Sequence, residues 1–185
     1  MLFLYKGSGD HSSYATFRPV TVNPVPYRLF AQVLRRRTQA WAEREKVLGE
    51  LQHASCQGRR LEDNLFIRTQ FIELATGPGG ELWAAFLDVE KAYDCVEHEV
   101  LWNRLRLQEL PEEVVARLRA LYTDMKVVVE WQGLRSRPIE VQRGLRQGCP
   151  LSPLLFMLLL SDLEGELERC GLRFDLTYMD DGRVV

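Results

Sequence analysis

Leu82-Trp83-Ala84-Ala85-Phe86-Leu87-Asp88-Val89-Glu90-Lys91-Ala92-Tyr93-Asp94 is the stretch on which the fold turns. Its apolar run ends abruptly in the carboxylate of Asp88, and an aromatic residue, Tyr93, follows five positions later. A buried strand that delivers an Asp at its tip suits a hard divalent cation, which prefers carboxylate oxygens. Taken alone, an Asp at this position is more commonly a surface residue that merely closes a strand. A second segment further on reads Arg146-Gln147-Gly148-Cys149-Pro150-Leu151-Ser152-Pro153 and leads into the apolar stretch Leu154 to Leu160. Gln147-Gly148 ahead of a Ser-Pro helix start sets a side-chain amide and bare backbone beside whatever the cation holds.

Outward from these segments the pattern alternates strands and helices. Leu2 to Lys6 reads as a strand, and Phe17-Arg18-Pro19-Val20 as extended chain, because a residue before proline avoids the helical region. From about Pro26 the spacing of Leu29, Phe30, Val33 and Leu34 predicts one apolar helical face running towards Leu51. Glu62 and Asp63 open a second helix carrying Leu65, Phe66, Ile67, Phe71, Ile72 and Leu74, which Gly77-Pro78-Gly79-Gly80 ends. His98 to Arg106 and Pro111 to Tyr122 read as two more helices. Lys126 to Trp131 and Pro138 to Val141 read as a hairpin about Gln132-Gly133. Ser152-Pro153 is an N-cap and first-turn pair for a helix reaching about Arg169, and Leu172 to Tyr178 returns as a strand. The class is α+β, compatible with a split βαβ sheet.

Composition narrows the function classes. With 185 residues, 46% apolar and 27% charged, the chain is long enough for a real core and too apolar for wholesale disorder. No apolar run approaches a membrane span, and the first six residues are too short for a signal peptide. Cys56, Cys95, Cys149 and Cys170 have no metal-ligand spacing and read as reduced, buried intracellular thiols, so the expectation is nucleus or cytoplasm rather than secretion. The net charge of −2 gives no reason to suspect nucleic acid, but its distribution does. Residues 1–60 hold ten Lys and Arg against four Asp and Glu, while residues 61–130 hold seven against fourteen. Twenty of the 24 basic residues are Arg, suited to planar, forked phosphate contacts. The triplet Arg35-Arg36-Arg37 fits a solvated helix face as well.

In this order the two segments resemble motifs A and B of reverse transcriptases, in the form used by LINE-type (non-LTR) retrotransposons. The resemblance extends to Leu4-Tyr5-Lys6-Gly7-Ser8-Gly9-Asp10, similar to the strand and turn that open the fingers, and to the helix from Tyr27 to Leu34. It implies a reverse-transcriptase-like α+β fold with an antiparallel sheet packed on helices: fingers over residues 1–80 and a partial palm over 81–185, incomplete at the C-terminus. It also implies two Mg²⁺ ions, an RNA template, a DNA primer and a deoxynucleoside triphosphate, with no membrane involvement; it leaves the oligomeric state open. Asp88 is then the catalytic, metal-binding carboxylate of motif A. Tyr93 is the steric gate that excludes a 2′-hydroxyl. Gln147 and Gly148 contact the incoming nucleotide, and Arg18 holds its triphosphate. One fingers segment departs from the family: Ala54-Ser55-Cys56-Gln57-Gly58-Arg59-Arg60 lacks the usual Phe and first Arg, which puts template contacts there in doubt.

Tyr178-Met179-Asp180-Asp181 spells the metal-binding motif C of retroviral enzymes. Yet only 31 residues separate Gln147 from Tyr178, and LINE-type enzymes usually insert a hairpin there. The Asp-Gly at 181–182 between strand-like runs fits that added hairpin, and this is the expectation carried forward. Asp180 and Asp181 join the catalytic set only if Tyr178–Asp181 is motif C itself. The function implied is that of a fragment of an RNA-directed DNA polymerase, expected to be inactive as residues 1–185 alone. The alternatives are a non-catalytic nucleic-acid-binding remnant that grips RNA through its basic front third, or a decayed fragment without function.

Overall fold

The computed structural model describes residues 1–13, 16–48, 58, 60–77, 85–170 and 181–184. In chain order its elements are β1 (Leu2–Tyr5), β2 (Phe17–Val20), α1 (Val25–Arg44), α2 (Leu61–Ala75), β3 (Ala85–Asp88), α3 (His98–Leu107) and α4 (Glu112–Ala120). Four short strands follow, β4 (Lys126–Val127), β5 (Glu130–Trp131), β6 (Leu134–Arg135) and β7 (Ile139–Glu140), and then α5 (Ser152–Leu160), α6 (Leu163–Arg169) and β8 (Asp181–Val184).

The core forms around α5. Its sequence, Ser-Pro-Leu-Leu-Phe-Met-Leu-Leu-Leu, is apolar on every side, and such a helix is stable only when surrounded. Leu154, Leu155, Phe156, Met157 and Leu158 are all buried. Leu101, Trp102 and Leu105 of α3 and Val115 and Leu118 of α4 belong to the same cluster, as do Ala31, Leu34, Trp41 and Ala42 of α1. Each fully buried large side chain contributes about 1.5–3 kcal/mol.

The face that α1 buries differs from the one expected. Leu29, Phe30 and Val33 are 64%, 47% and 47% exposed, while Ala31, Leu34, Thr38, Trp41 and Ala42 are buried. Both stripes satisfy a helical period. The buried one carries small residues, which let the helix axis approach its neighbours closely. Likewise Leu65, Phe66, Phe71, Ile72 and Leu74 of α2 are exposed rather than core residues. The N-terminus of α2 behaves as expected, with the Asp63 carboxylate accepting the Arg60 backbone N–H at 2.9 Å.

Three other expectations change. The single helix from 152 to 169 is two, because Gln108 and Ser161 compete for the helix carbonyls: Gln108 Nε2 donates to Leu158 O (2.8 Å) and to Ser161 Oγ (2.6 Å), and Ser161 Oγ donates back to Leu158 O (3.1 Å). Arg104 pairs with Asp162 in the intervening turn. The expected hairpin over 126–141 also divides. Lys126–Val127 pairs with Ile139–Glu140, and Glu130–Trp131 with Leu134–Arg135, about Gln132-Gly133 with φ of 49° and 80°. Among the cysteines, Cys149 is buried, but Cys95 and Cys170 are exposed; Cys56 lies outside the described residues.

The split has a topological consequence. While still paired with β6 on one side, β5 pairs in parallel with β1 on the other at Leu2↔Glu130, giving a four-stranded sheet in the order β2-β1-β5-β6. This sheet joins strands from both sides of residue 80. The β1–β2 pair is antiparallel, with Leu4 opposite Arg18. In a separate antiparallel ribbon, β3 pairs with β8. The strand expected over 172–178 lies outside the described residues.

Candidate active site

The site is built where the loop after β3 meets the loop before α5. Beyond Asp88 the chain coils tightly: Lys91 adopts φ 52°, and its carbonyl accepts the N–H groups of Asp94 (2.8 Å) and Cys95 (3.1 Å). The coil drives Ala92 into the core and leaves Tyr93 half-buried, its ring 5.3 Å from that of Phe156 on α5.

The second loop docks on this coil through its backbone. Leu145 N–H donates to Tyr93 O and Gly144 N–H to Val96 O, each at 2.7 Å. His98, on the half-buried start of α3, places Nε2 2.9 Å from Gly144 O. Only glycine suits position 144: its φ is +93°, and a β-carbon would lie 3.2 Å from Asp94 Cα, Asp94 O and Tyr93 O. Gly148 is a second such position, with φ +95° and a β-carbon that would lie 3.0 Å from Thr21 O. There Thr21 N–H donates to Gln147 O at 2.8 Å, tying the loop to the chain leaving β2.

Arg146 locks the assembly. Its guanidinium lies 4.5 Å over the Tyr27 ring, and its Nη1 and Nη2 donate to Asn23 Oδ1 and Leu121 O, both at 3.2 Å. One side chain thereby fastens the approach to α1, the end of α4 and the loop before α5. Below it, burial pushes the Tyr27 and Tyr122 hydroxyls well above the ordinary phenol range, so both stay protonated, and the nearby Cys149 thiol adds to each shift. Ser152 is the first residue of α5 rather than its cap, and its hydroxyl donates back to Arg146 O at 2.8 Å.

These contacts enclose a cavity of about 790 Å³. Tyr93, Gln147 and Gly148 line it together, with Arg28 and Gln32 one turn apart on α1 and with Pro150, Ser152 and Pro153. Gln147 Nε2 donates to Asp94 Oδ1 at 3.0 Å. Arg18 is exposed on β2 and does not line the cavity. It shares a strand face with Val20, two positions on, whose Cγ1 is the neighbour 3.5 Å from where a Gly148 β-carbon would sit. Asp88 ends β3, and its register partner across the ribbon is Asp181. Tyr178 and Asp180 lie outside the described residues. Among the described residues no group of three or more His, Cys, Asp or Glu has the arrangement of a metal centre.

Sequence reasoning did not assign Asp94, Arg28, Gln32 or Arg146 to the site. Arg146 and Asp94 adjoin assigned residues, and that adjacency was the available signal. Arg28 and Gln32 carried none, because the position of α1 beside the second loop is a tertiary fact.

Comparison with known proteins bears on the family and the fold. The family model described as reverse transcriptase (RNA-dependent DNA polymerase) matches residues 6–185. A transposon TX1 uncharacterized 149 kDa protein of Xenopus laevis is 30% identical over 193 residues, covering 100% of this chain and 14% of that protein. A Retrovirus-related Pol polyprotein from type-1 retrotransposable element R2 of Nasonia vitripennis is 34% identical over 142 residues, covering 77% of this chain and 14% of the relative. The chain thus spans about a seventh of each. Among solved structures, an apo telomerase from Candida tropicalis truncated from its C-terminal domain aligns over 86% of this chain and 33% of its own, with a TM-score of 0.50 and 14% identity, a likeness of fold alone. The chain belongs to the reverse transcriptase (RNA-dependent DNA polymerase) family, in the branch found in non-LTR retrotransposable elements.

Proposed function

We propose that this chain carries the nucleotide-binding part of an RNA-directed DNA polymerase that extends a DNA primer on an RNA template. The observation that carries this is the convergence of Tyr93, Gln147 and Gly148 on one cavity of about 790 Å³. That volume falls within the range of roughly 300–1,000 Å³ usual for small-molecule sites. A deoxynucleoside triphosphate suits these walls. The Tyr93 ring, 5.3 Å from that of Phe156, would exclude a 2′-hydroxyl, the atom that separates RNA from DNA precursors. Gly148 admits close approach of the nucleotide to the backbone, and Gln147 offers amide hydrogen bonds. Arg18 steadies the triphosphate from the neighbouring strand face.

Asp88 and Asp181 are the metal ligands in this proposal. The two are register partners across the antiparallel pair of β3 and β8, and Mg²⁺ prefers hard carboxylate oxygens. In this proposal Tyr178–Asp181 is motif C, a reading supported by the register of Asp181 with Asp88. Bound Mg²⁺ would make the primer 3′-hydroxyl easier to deprotonate and offset charge building on the α-phosphate. Asp88 and Asp181 hold that charge at the strand tips, Tyr93 sets the sugar, and Gln147 with Gly148 shapes the pocket. Residues 1–80 serve as fingers and 81–185 as palm, working inside the cell in nucleus or cytoplasm, where an RNA template and DNA primer meet. Among the described residues no helix is long and apolar enough to cross a membrane.

The test is equilibrium binding of a fluorescent deoxynucleoside triphosphate to the chain, with and without Mg²⁺. Binding should require the metal and fall at least about tenfold, ~1.4 kcal/mol, in Asp88→Asn. Binding that ignores both the metal and this substitution would overturn the proposal.

A further inference from the structure

Asp94 does not line the large cavity, yet its carboxylate touches the Gln147 amide, which does. The Asp94 carboxylate closes the coil after β3, where its own backbone N–H donates to Lys91 O at 2.8 Å. It meets Gln147 across a junction held also by backbone hydrogen bonds and by the contact of His98 Nε2 with Gly144 O. Leu145 and Gly144 donate to Tyr93 O and Val96 O, and Gly144 allows no β-carbon against Asp94. The 3.0 Å bond from Gln147 Nε2 to Asp94 Oδ1 is thus the side-chain link between the two loops.

An ionised carboxylate only accepts hydrogen bonds, whereas an amide both donates and accepts. The contact therefore decides which way the Gln147 amide is turned, as well as where it sits. With Nε2 committed to Asp94, the carbonyl oxygen and one N–H remain for a ligand in the cavity. We infer that Asp94 is a positioning residue that sets the orientation of the Gln147 amide towards a bound nucleotide. This rests on the nucleotide-binding function proposed above.

Affinity of a fluorescent deoxynucleoside triphosphate, measured in Mg²⁺, tests it through a double-mutant cycle on the full chain. Asp94→Ala should weaken binding about three- to tenfold, about the net worth of one exposed hydrogen bond. The double variant with Gln147→Ala should bind no worse than Gln147→Ala alone. Asp94→Asn keeps a hydrogen bond but lets both amides turn, so it should fall between wild type and Asp94→Ala; a carboxylate that served packing alone would leave the Asn variant at wild-type affinity. Thermal melting of each variant shows that the loop still folds. Losses that multiply in the double variant, or an Asp94→Asn indistinguishable from wild type, would overturn the role of Asp94 while leaving the nucleotide site intact. Failure of the wild-type chain to bind the nucleotide would overturn both.

Discussion

Replacing Gly148 with alanine tests the geometry on which the cavity depends. At φ +95°, an alanine incurs about 1–2 kcal/mol of left-handed strain. Its β-carbon, 3.0 Å from Thr21 O, forces that carbonyl to retreat by a few tenths of an ångström. Retreat stretches the bond from Thr21 N–H to Gln147 O, now 2.8 Å, which is worth about 1 kcal/mol net. Alanine returns about 0.4–1 kcal/mol by restricting the unfolded chain. The net destabilisation is about 2 kcal/mol. In urea this should lower the unfolding midpoint by about 1 M at an unchanged slope. Gly165→Ala is the internal control, since Gly165 lies in α6 with open space around its α-carbon. It should be neutral or stabilising by up to about 1 kcal/mol. A Gly148→Ala chain as stable as wild type would refute the close approach of this loop to the chain after β2.

Trp102→Ala should cost about 3–5 kcal/mol in chemical denaturation, because Trp102 is 1% exposed and sits among the helices that surround α5. Arg146→Lys keeps the charge but loses the fork shared between Asn23 and Leu121 O and the stacking on Tyr27, so a loss of about 1–3 kcal/mol is expected in the same assay. Tyr93→Val should let ribonucleoside triphosphates compete with deoxynucleotides, narrowing the ratio of their affinities about tenfold, ~1.4 kcal/mol; an unchanged ratio would remove Tyr93 from the sugar contact.

Several features were legible in the chain because they rest on local chemistry. The all-apolar α5, the acidic start of α2 and the extended Phe17–Val20 needed only hydrophobic pattern, helix-end charge and the restriction that proline imposes on its predecessor. Other features were not, each for a physical reason. Of the expected α1 stripe Leu29, Phe30, Val33 and Leu34, only Leu34 is buried; the face that packs adds Ala31, Thr38, Trp41 and Ala42, chosen by the neighbouring helices rather than by bulk alone. The long helix at 152–169 looked continuous because nothing local interrupts it; Gln108, more than forty residues earlier, supplies the competing donor.

The candidate site divides the same way. Asp88, Tyr93, Gln147 and Gly148 could be named from the ordered pair of segments and the family resemblance they carry, since neither segment alone distinguishes a site from a strand end or a helix-entry turn. That Tyr93 and Gln147 share a cavity, that Asp94 holds Gln147, that α1 brings Arg28 to the same wall and that Asp181 lies opposite Asp88 are facts of juxtaposition. Hydrogen bonds and packing between segments far apart in the chain decide them, and no local pattern encodes such distances.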